Sequence, residues 1–390
     1  MKIVDLALYS PETTSGVRTY IENKIRYVNA LSNGIEHVVL VPAREEGVEV
    51  AGRSKVIYLR GVPTFYPKLR IAANVWKAAR IIEEEAPDLI EVNCQFALPW
   101  AAFLATRNRK VPIVGVYHTD VPECAGALAQ KWGRPVASAL RSLARFYEGL
   151  IYRHFTRTII FHAAMAGPLN RLGVHRIDCI PCGVDLATFH PDRQDPQFRE
   201  KFGIPQQAKI LLYVGRLSPE KEVQTLLKAH ACLPKDQYIL LIVGDGPERA
   251  VVRSYAKSHP SIRFLGHIDR PDELASVYAS SDVYVMPGRH ETFGMSTVEA
   301  LACGLPVVGI EKSGTGTIVT PRVGALARAG DLQDIAAKIS AVANWPRDEV
   351  RPACRSLAST NYSWTKIFDC YFSLYRRLIS GDGRAPLQAL

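Results

Sequence analysis

The chain has 390 residues, of which 47% are hydrophobic and 22% are charged, and it contains eight cysteines. These values are typical of a folded globular protein with room for two domains, and they exclude a collagen-like, disordered or disulfide-framed chain. The net charge of +10 indicates anionic partners such as nucleotide phosphates or acidic lipid headgroups. No nucleic-acid-binding motif accompanies this charge, so we expect no nucleic-acid partner.

The N-terminal residues read as an apolar strand rather than as a basic segment followed by an apolar core and a cleavage site, so we expect no signal peptide. The longest apolar run, residues 96–105, contains Pro99 and is too short to cross a bilayer. We therefore expect a cytoplasmic protein, either unattached or on the cytoplasmic face of a membrane. Cys179 and Cys182 have CxxC spacing, but a zinc site would need a second pair, so we interpret them as reduced thiols.

Short β-branched runs alternate with helical patterns along the chain, which predicts an α/β fold with parallel sheets buried on both faces. The strands predicted in the first half are residues 3–8, 37–41, 56–59, 89–92, 113–117 and 158–161. Those predicted in the second half are residues 210–214, 238–243, 263–265, 283–286 and 307–309.

The alternation restarts after the turn-rich segment 181–191. We therefore predict a first domain over residues 1–185 and a second over residues 186–363. The remaining segment, residues 364–390, contains a predicted helix that packs back on the first domain. Parallel sheets bind ligands outside the carboxyl ends of their strands, so the loops that follow strands are the expected binding positions.

Two of the candidate loops, one in each half of the chain, are of interest for their glycines. Gly16 lies in the loop 13–17, just before a predicted helix, where a glycine lets the backbone approach a ligand and a helix N-terminus favours phosphate. An ordinary strand-to-helix turn would explain the same residues. Gly244 and Gly246 follow the strand 238–243 and permit a tight turn.

Two cations flank the loop after strand 210–214. Ser218 as the N-cap and Pro219 as the first helical residue predict a helix start, with Arg216 and Lys221 on either side of it. A helix N-terminus favours anions, so the dipole does not explain these cations. A bound diphosphate would explain both, and two solvated surface charges are the alternative.

Glu291 and Glu299 stand on either side of a loop-to-helix junction after strand 283–286. Carboxylates accept strong hydrogen bonds from sugar hydroxyls, and the backbone of residues 294–296 would offer N–H groups to an anion. Ser296 and Glu299 also fit a capping box, which would give Glu299 a structural role. His118 ends the strand 113–117, where it can face a ligand or be a buried, hydrogen-bonded histidine.

In this combination and order, the stretches resemble the retaining GT-B glycosyltransferases of glycosyltransferase family 4. The matching stretches are residues 15–17, 118–120, 180–191, 215–221 and 243–247 and the pair Glu291 and Glu299. The resemblance covers nearly the whole chain, and it implies two Rossmann-like domains whose parallel sheets face a central cleft. The family often has two glycines in the first loop, where this chain has Ser15 and Gly16.

The resemblance also implies the site residues. The diphosphate would be held by Arg216 and Lys221 and approached by Gly16 and Gly246. Glu299 would bind the ribose, Glu291 the donor sugar, and His267 and Ile268 the base. The backbone of Phe293, Gly294, Met295 and Ser296 would contact the sugar and the phosphate. His118 would lie beside the transferred sugar. The catalytic residues would then be Glu291, His118, Arg216 and Lys221, with neither a metal nor a cofactor besides the nucleotide-sugar donor.

The function implied is retaining transfer of a hexose from GDP-mannose or a UDP-hexose to a lipid or lipid-linked glycan. A nucleotide-sugar epimerase and a non-catalytic nucleotide-sugar-binding protein are the alternatives. Residues 131–157 carry six basic side chains among apolar ones, which suits a helix or helix pair lying on an anionic membrane. A half-buried helix with a solvated basic face would explain the same pattern.

Overall fold

The structure is a computed structural model that describes residues 1–9, 15–31, 34–64, 69–234 and 236–382, with the side chain of Lys131 left out. The described chain divides into two compact units. Unit 1 comprises Met1–Cys182 together with the segment from Trp364 onward, and unit 2 comprises Gly183–Ser363. The first predicted loop lies partly outside the described residues, since Thr13 and Thr14 are not among them.

Unit 1 is built on one sheet. Its strands are β1 (Lys2–Ala7), β2 (Glu36–Ala43), β3 (Gly47–Ala51), β4 (Ser54–Pro63), β5 (Arg70–Ala72), β6 (Leu89–Asn93), β7 (Ile113–Val116), β8 (Arg157–Ile160) and β9 (Ile177–Cys179). Its first helices are α1 (Gly16–Ala30), α2 (Val75–Glu85), α3 (Leu98–Thr106), α4 (Val121–Ala129), α5 (Arg134–Tyr152) and α6 (Ala166–Arg171). The strand order is β3-β4-β2-β1-β6-β7-β8-β9, with β5 added to β4.

All pairings in this sheet are parallel except those that β3 and β5 make with β4. Each of the six strands predicted for the first half overlaps an observed strand, whereas β3, β5 and β9 were not predicted. The residues of β3 are largely exposed, and β5 and β9 have three residues each, so none of them has the long apolar run of a buried strand.

Unit 2 contains a second, wholly parallel sheet. Its strands are β10 (Lys209–Val214), β11 (Tyr238–Val243), β12 (Ile262–Gly266), β13 (Val283–Val285), β14 (Val307–Ile310) and β15 (Gly324–Ala327). Its helices are α7 (Phe198–Lys201), α8 (Val223–His230), α9 (Arg249–Ser258), α10 (Pro271–Ser280), α11 (Met295–Ala302), α12 (Gly314–Ile318), α13 (Leu332–Ala343) and α14 (Arg347–Asn361). All six residues of the apolar strand β11 are buried, as a central parallel strand requires.

The strand order of unit 2 is β12-β11-β10-β13-β14-β15. This is the Rossmann order 3-2-1-4-5-6, in which the direction of winding reverses between the first and fourth strands. The reversal falls between β10 and β13, which pair directly. Loops diverge there and leave a crevice at the carboxyl ends of the two strands, which is where such sheets bind ligands.

The final helix, α15 (Trp364–Ile379), belongs to unit 1. It packs an aromatic stripe against α1: the Phe368 ring lies 5.5 Å from the ring of Tyr20, and the Phe372 ring lies 5.2 Å from that of Tyr27. Offset and edge-on aromatic pairs of this kind add to the gain from apolar burial. The helix therefore completes the hydrophobic core of the unit in which the chain begins.

A buried charged cluster joins α15 to the sheet. The Nζ atom of Lys24 on α1 lies 2.8 Å from Asp5 Oδ1 and 3.0 Å from Glu91 Oε1, and all three side chains are fully buried. Lys24 also donates to the hydroxyl of Tyr375 on α15 at 3.2 Å, and that hydroxyl donates to Glu91. Lys24 and His37 hold the pKa of Asp5 below its usual value, although its burial opposes this.

We predict that Lys24→Met lowers the free energy of unfolding by roughly 3–5 kcal/mol, because it leaves the Asp5 carboxylate buried without its main counter-charge. Urea denaturation followed by circular dichroism measures the change. Lys77→Met is the matched control, since Lys77 pairs with Glu46 on the surface and its removal should leave stability nearly unchanged. Equal effects of the two substitutions would contradict the structural role of Lys24.

Candidate active site

The loop after β10 carries Arg216 and Lys221 past the carboxyl end of the strand. Pro219–Lys221 form a single 3-10 turn, and Glu222 then takes a left-handed φ of 52° before α8 begins at Val223. A helical turn therefore starts at Pro219 as predicted, but it is a 3-10 turn, and the α-helix begins four residues later. The side chain of Ser218 makes no cap hydrogen bond and instead donates to Glu220 Oε1 at 2.5 Å.

The loops after β10 and β11 are held together by close backbone contact. A methyl group added to Gly244 would overlap the carbonyl oxygen of Gly215, and one added to Gly246 would overlap that of Leu217. The N–H of Leu217 donates to the carbonyl oxygen of Asp245 at 2.9 Å. Gly244 and Gly246 therefore have a role in packing. Because they lack side chains, the loop after β11 can pack directly against the loop that carries Arg216.

The loop after β13 brings Glu291 to Lys221. Lys221 Nζ donates to Glu291 Oε2 at 2.6 Å, and both side chains are largely buried. The backbone of this loop is fixed on its other side, where Gly314 N donates to the carbonyl oxygen of Glu291 at 2.8 Å. A methyl group on Gly314 would lie 2.7 Å from the nitrogen of Phe293, so this approach depends on a glycine. Sequence reasoning missed both the ion pair and Gly314.

The start of α11 differs from the predicted capping box. Gly294, with a φ of 100°, is the N-cap, and Met295 and Ser296 occupy the first turn, where helix N–H groups point outward. The Ser296 hydroxyl accepts a hydrogen bond from Tyr284 at 2.7 Å rather than capping the helix. The side chain of Phe293 is buried, so any ligand contact from that residue comes from its backbone.

Glu299 is paired with Tyr278, which is 21 residues earlier in the chain. The Tyr278 hydroxyl donates to Glu299 Oε2 at 3.0 Å. Burial raises the pKa of the Glu299 carboxyl to about 7, and the hydrogen bond from Tyr278 opposes this shift only in part. The capping-box interpretation of Glu299 is therefore wrong, because its carboxyl is engaged by another helix.

The residues predicted to bind the base lie in the loop after β12. His267 is exposed and its Nε2 lies 3.0 Å from Asp269 Oδ1, and Ile268 is half-buried. β12 is the edge strand beyond β11, so these residues also stand at the carboxyl edge of the unit 2 sheet. The structure thus places the predicted donor-binding residues of unit 2 at one edge of one sheet, in the loops after β10, β11, β12 and β13.

In unit 1, His118 follows β7 and Asn93 ends the neighbouring strand β6. The Nε2 atom of His118 lies 2.7 Å from Asn93 Oδ1, while Asn93 Nδ2 donates to Glu91 Oε1 at 2.8 Å. Because the amide nitrogen of Asn93 faces Glu91, its oxygen faces His118 and accepts from Nε2–H. Burial lowers the pKa of His118 to about 3, so the ring is neutral.

The buried cluster around Lys24 connects the pair of His118 and Asn93 to the core of unit 1. Burial raises the pKa of Glu91 to about 7, and Lys24 opposes the shift. The His118 ring packs edge-on against Tyr20, with centroids 5.3 Å apart. His118 is therefore both hydrogen-bonded and partly buried, as the more conservative interpretation of the sequence held. Gly16 is the exposed first residue of α1, next to the N-cap Ser15, whose hydroxyl accepts from Arg18 N at 3.3 Å.

Only part of the basic segment 131–157 lies on the protein surface. Arg157 lies on β8, is buried, and donates to both carboxylate oxygens of Asp178 at 2.7 and 2.9 Å, so its assignment to a basic face was wrong. Arg141 and Arg145 both pair with Glu123 on α4, at 3.1 and 2.8 Å. Trp132 and the outward residues of α5 are exposed.

Among the residues that the structure describes, His, Cys, Asp and Glu side chains do not gather in threes in a way that could hold a metal ion. The helices within the same residues are each too short or too polar to span a membrane.

Comparisons with known proteins agree with this arrangement. Residues 194–357 match the sequence family described as glycosyl transferases group 1, and residues 14–188 match glycosyltransferase family 4. A GDP-mannose-dependent alpha-mannosyltransferase of Mycobacterium tuberculosis is 31% identical over 82% of this chain and 85% of its own. A GDP-mannose-dependent alpha-(1-6)-phosphatidylinositol dimannoside mannosyltransferase of the same species is 30% identical over 84% of each chain.

Among solved structures, a sucrose-phosphate synthase from Thermosynechococcus elongatus superposes with a TM-score of 0.79 at 22% identity, over 97% of this chain and 99% of that one. This likeness concerns the fold, and it confirms the predicted GT-B class of two α/β units with parallel sheets. The two family matches together cover most of the chain, in the order expected for such an enzyme. The chain therefore belongs to glycosyltransferase family 4 and is a glycosyltransferase.

Proposed function

We propose that the protein transfers a hexosyl group, with retention of configuration, from a nucleotide-diphosphate sugar to a lipid or lipid-linked glycan. GDP-mannose is the favoured donor and a UDP-hexose is the second choice. The named activity of two relatives that are at least 30% identical over more than four fifths of this chain supports GDP-mannose. One of those relatives acts on a phosphatidylinositol dimannoside, which supports a lipid acceptor.

The observation that carries this proposal is the contact between Lys221 and Glu291. These residues come from the loops after β10 and β13, the two strands between which the winding of the unit 2 sheet reverses. An ammonium group next to a carboxylate at such a position suits a ligand that has both a diphosphate and sugar hydroxyls. The N-terminus of α11 in the same loop adds N–H groups for an anion.

The ion pair also suggests how the site accepts its donor. Lys221 and Glu291 neutralise each other at 2.6 Å. When a diphosphate binds, its charge competes for Lys221, and the carboxylate of Glu291 becomes available to the hydroxyls of the donor sugar. Arg216, which is on the same loop as Lys221, would also hold the diphosphate. Glu299 would accept hydrogen bonds from the ribose.

The chemistry then rests on stabilising the departing diphosphate. Negative charge grows on the leaving phosphate oxygen as the glycosidic bond breaks, and cations and helix N–H groups already in place stabilise it without reorganising. Lys221, Arg216 and the first turn of α11 would supply this stabilisation, so we propose that transfer needs no metal ion. The acceptor hydroxyl would form a bond to the anomeric carbon on the same face as the leaving group and pass its proton to the departing phosphate oxygen, whose bond to that carbon breaks, so that configuration is retained.

His118 would contact the transferred sugar from unit 1. A neutral imidazole whose Nε2–H is fixed by Asn93 presents a defined tautomer, which matters because only one ring nitrogen then carries a proton. Asn93 acts through His118 and is therefore a positioning residue. Its own orientation is set by Glu91, in the buried cluster that contains Lys24.

The first prediction concerns Glu291. A panel of GDP-, UDP- and ADP-sugars with a bacterial lipid extract should give nucleoside diphosphate release with one donor, and Glu291→Gln should lower that release roughly 100-fold, the usual cost of losing one transition-state contact. Glu311→Gln is the matched control, since Glu311 is an exposed glutamate of the same unit. Unchanged turnover in Glu291→Gln would remove this residue from the site.

A second prediction follows from the pKa of Glu299. Because ribose hydroxyls donate to the ionised carboxylate, donor affinity should fall as the pH drops through about 7, approaching about tenfold per pH unit below it. Above that pH the affinity should be constant. Calorimetric titration of the donor at several pH values measures this, and Glu299→Gln should flatten the curve. A slope that persists in Glu299→Gln would assign it to another group.

The third prediction concerns Asn93. Asn93→Ala should lower kcat by about 10- to 100-fold through misplacement of His118. The KM for the donor should stay within about twofold, because residues of unit 2 would hold the nucleotide and the diphosphate. Nitrogen NMR of the imidazoles should show His118 as the Nε2–H tautomer in the parent protein and as a mixture in the variant. A fall in kcat with the tautomer unchanged would mean that Asn93 acts in some other way.

A further inference from the structure

A buried tyrosine lies behind the carboxylate that is proposed to bind the ribose. The hydroxyl of Tyr278 on α10 donates to Glu299 Oε2 on α11 at 3.0 Å. Tyr278 is completely buried, whereas Glu299 is only half-buried. A ligand at the carboxyl edge of the unit 2 sheet can therefore reach Glu299 but not Tyr278, so Tyr278 can influence the ligand only through this carboxylate.

The ring of Tyr278 is fixed by its neighbours. It packs against the rings of Phe189 and Tyr284, and both ring centroids are 5.9 Å away. The hydroxyl of Tyr284 is in turn hydrogen-bonded to that of Ser296, in the first turn of α11, at 2.7 Å. Close packing holds a buried side chain in one rotamer, so the hydroxyl of Tyr278 has a fixed position relative to α11.

The hydrogen bond leaves most of the carboxylate available to a ligand. Burial raises the pKa of Tyr278 well above its usual value, so the hydroxyl keeps its proton and remains a donor. An ionised carboxylate has about four positions at which it accepts hydrogen bonds. Tyr278 fills one of them on Glu299 Oε2, so Oε1 and the second position on Oε2 are left for ribose hydroxyls.

The same hydrogen bond favours the ionised form of Glu299. Burial raises the pKa of Glu299, and the hydrogen bond from Tyr278 lowers it. Further titratable groups of this region, on β13, the loop after it, α11 and α14, are Tyr284, Glu291, Cys303, Arg351 and Arg355. Tyr278 thus supplies a hydrogen bond that opposes the protonation of Glu299, which burial favours.

We propose that Tyr278 is a positioning residue for the ribose, and that through Glu299 it makes the site select ribonucleotides over deoxyribonucleotides. This inference rests on the proposed function, which assigns the ribose of the donor to Glu299. A carboxylate held at one oxygen presents the other in a defined direction, so neighbouring ribose hydroxyls can donate to it together. A deoxyribose lacks these donors and leaves a desolvated acceptor unpaired, which is costly.

The place of Tyr278 along the chain agrees with this role. Helix α10 begins at Pro271, shortly after His267 and Ile268, the residues predicted to bind the base. Tyr278 follows about two turns later on the same helix. Base and ribose are adjacent parts of one nucleoside, so a single helix would connect the loop at the base with the carboxylate at the ribose.

Nucleotide binding by the full chain tests the inference. Calorimetric titration compares GDP and UDP with their 2′,3′-dideoxy counterparts, and the preference for ribose is taken from the pair that binds more tightly. The parent should prefer the ribonucleotide about 100-fold and Tyr278→Phe about tenfold or less, the scale of losing a hydrogen bond to a charged group. The affinity for the dideoxynucleotide should stay within about twofold, since it lacks the hydroxyls concerned, and this also shows that the variant is folded.

The pH dependence supplies a readout that a purely structural role would not change. Without the hydrogen bond from Tyr278, burial acts unopposed and the pKa of Glu299 rises. As the pH is lowered, the ribonucleotide affinity of Tyr278→Phe should therefore begin to fall at a higher pH than that of the parent. Tyr238→Phe is the matched control and should behave like the parent, because Tyr238 is buried at the opposite, amino-terminal end of β11.

Two results would overturn this inference and leave the proposed function in place. One is a ribose preference that Glu299→Gln lowers but Tyr278→Phe leaves intact, with an unchanged pH profile. The other is an equal loss of affinity for both nucleotides in Tyr278→Phe, which would mean general damage to the site. A ribose preference that survives Glu299→Gln, or no binding of either nucleotide by the parent, would instead remove the proposed role of Glu299 and this inference with it.

Discussion

Unit 1 depends on one ammonium group in its core. Lys24 sits between Asp5 and Glu91 and so ties α1 to β1 and β6, while Tyr375 adds α15 to the same cluster. Moving such charges out of water is costly, and only close pairing with further hydrogen bonds offsets that cost. His37 and Ser54 continue the cluster to β2 and β4, at 3.1 Å for each contact. The arrangement therefore specifies how four strands and two helices meet.

The same cluster reaches the proposed chemistry. Glu91 fixes the amide of Asn93, and Asn93 fixes the ring of His118. In unit 2 the binding loops are ordered by backbone contacts at Gly244, Gly246 and Gly314, to which the ion pair between Lys221 and Glu291 adds. In both units the residues that do not touch a ligand hold in place those that are proposed to do so.

The sequence predicted what depends on local pattern. Continuous apolar runs located β10 and β11, and the order of strand-end motifs indicated the family. Features that depend on distant partners were not predictable: Tyr278 approaches Glu299 from another helix, and Asp178 pairs with Arg157 from another strand. The helical segment that starts at Pro219 is only one 3-10 turn long for a local reason, because Glu222 adopts a left-handed conformation that ends it. A capping pattern in the sequence shows only which hydrogen bonds are possible. Here the side chains that could have capped a helix are hydrogen-bonded to residues from elsewhere in the fold.

The return of α15 to unit 1 has a consequence for synthesis on the ribosome. Unit 2 is inserted between Cys182 and Trp364 of unit 1, so Lys24 and Glu91 emerge long before Tyr375 and the aromatic stripe that covers them. At translation speeds of about 5–20 residues per second, the insert alone delays that closure by roughly 10 to 40 seconds. During that time the nascent unit 1 exposes its α1 aromatic face, where cellular chaperones can bind, and unit 2 is able to fold first although it comes second in the chain.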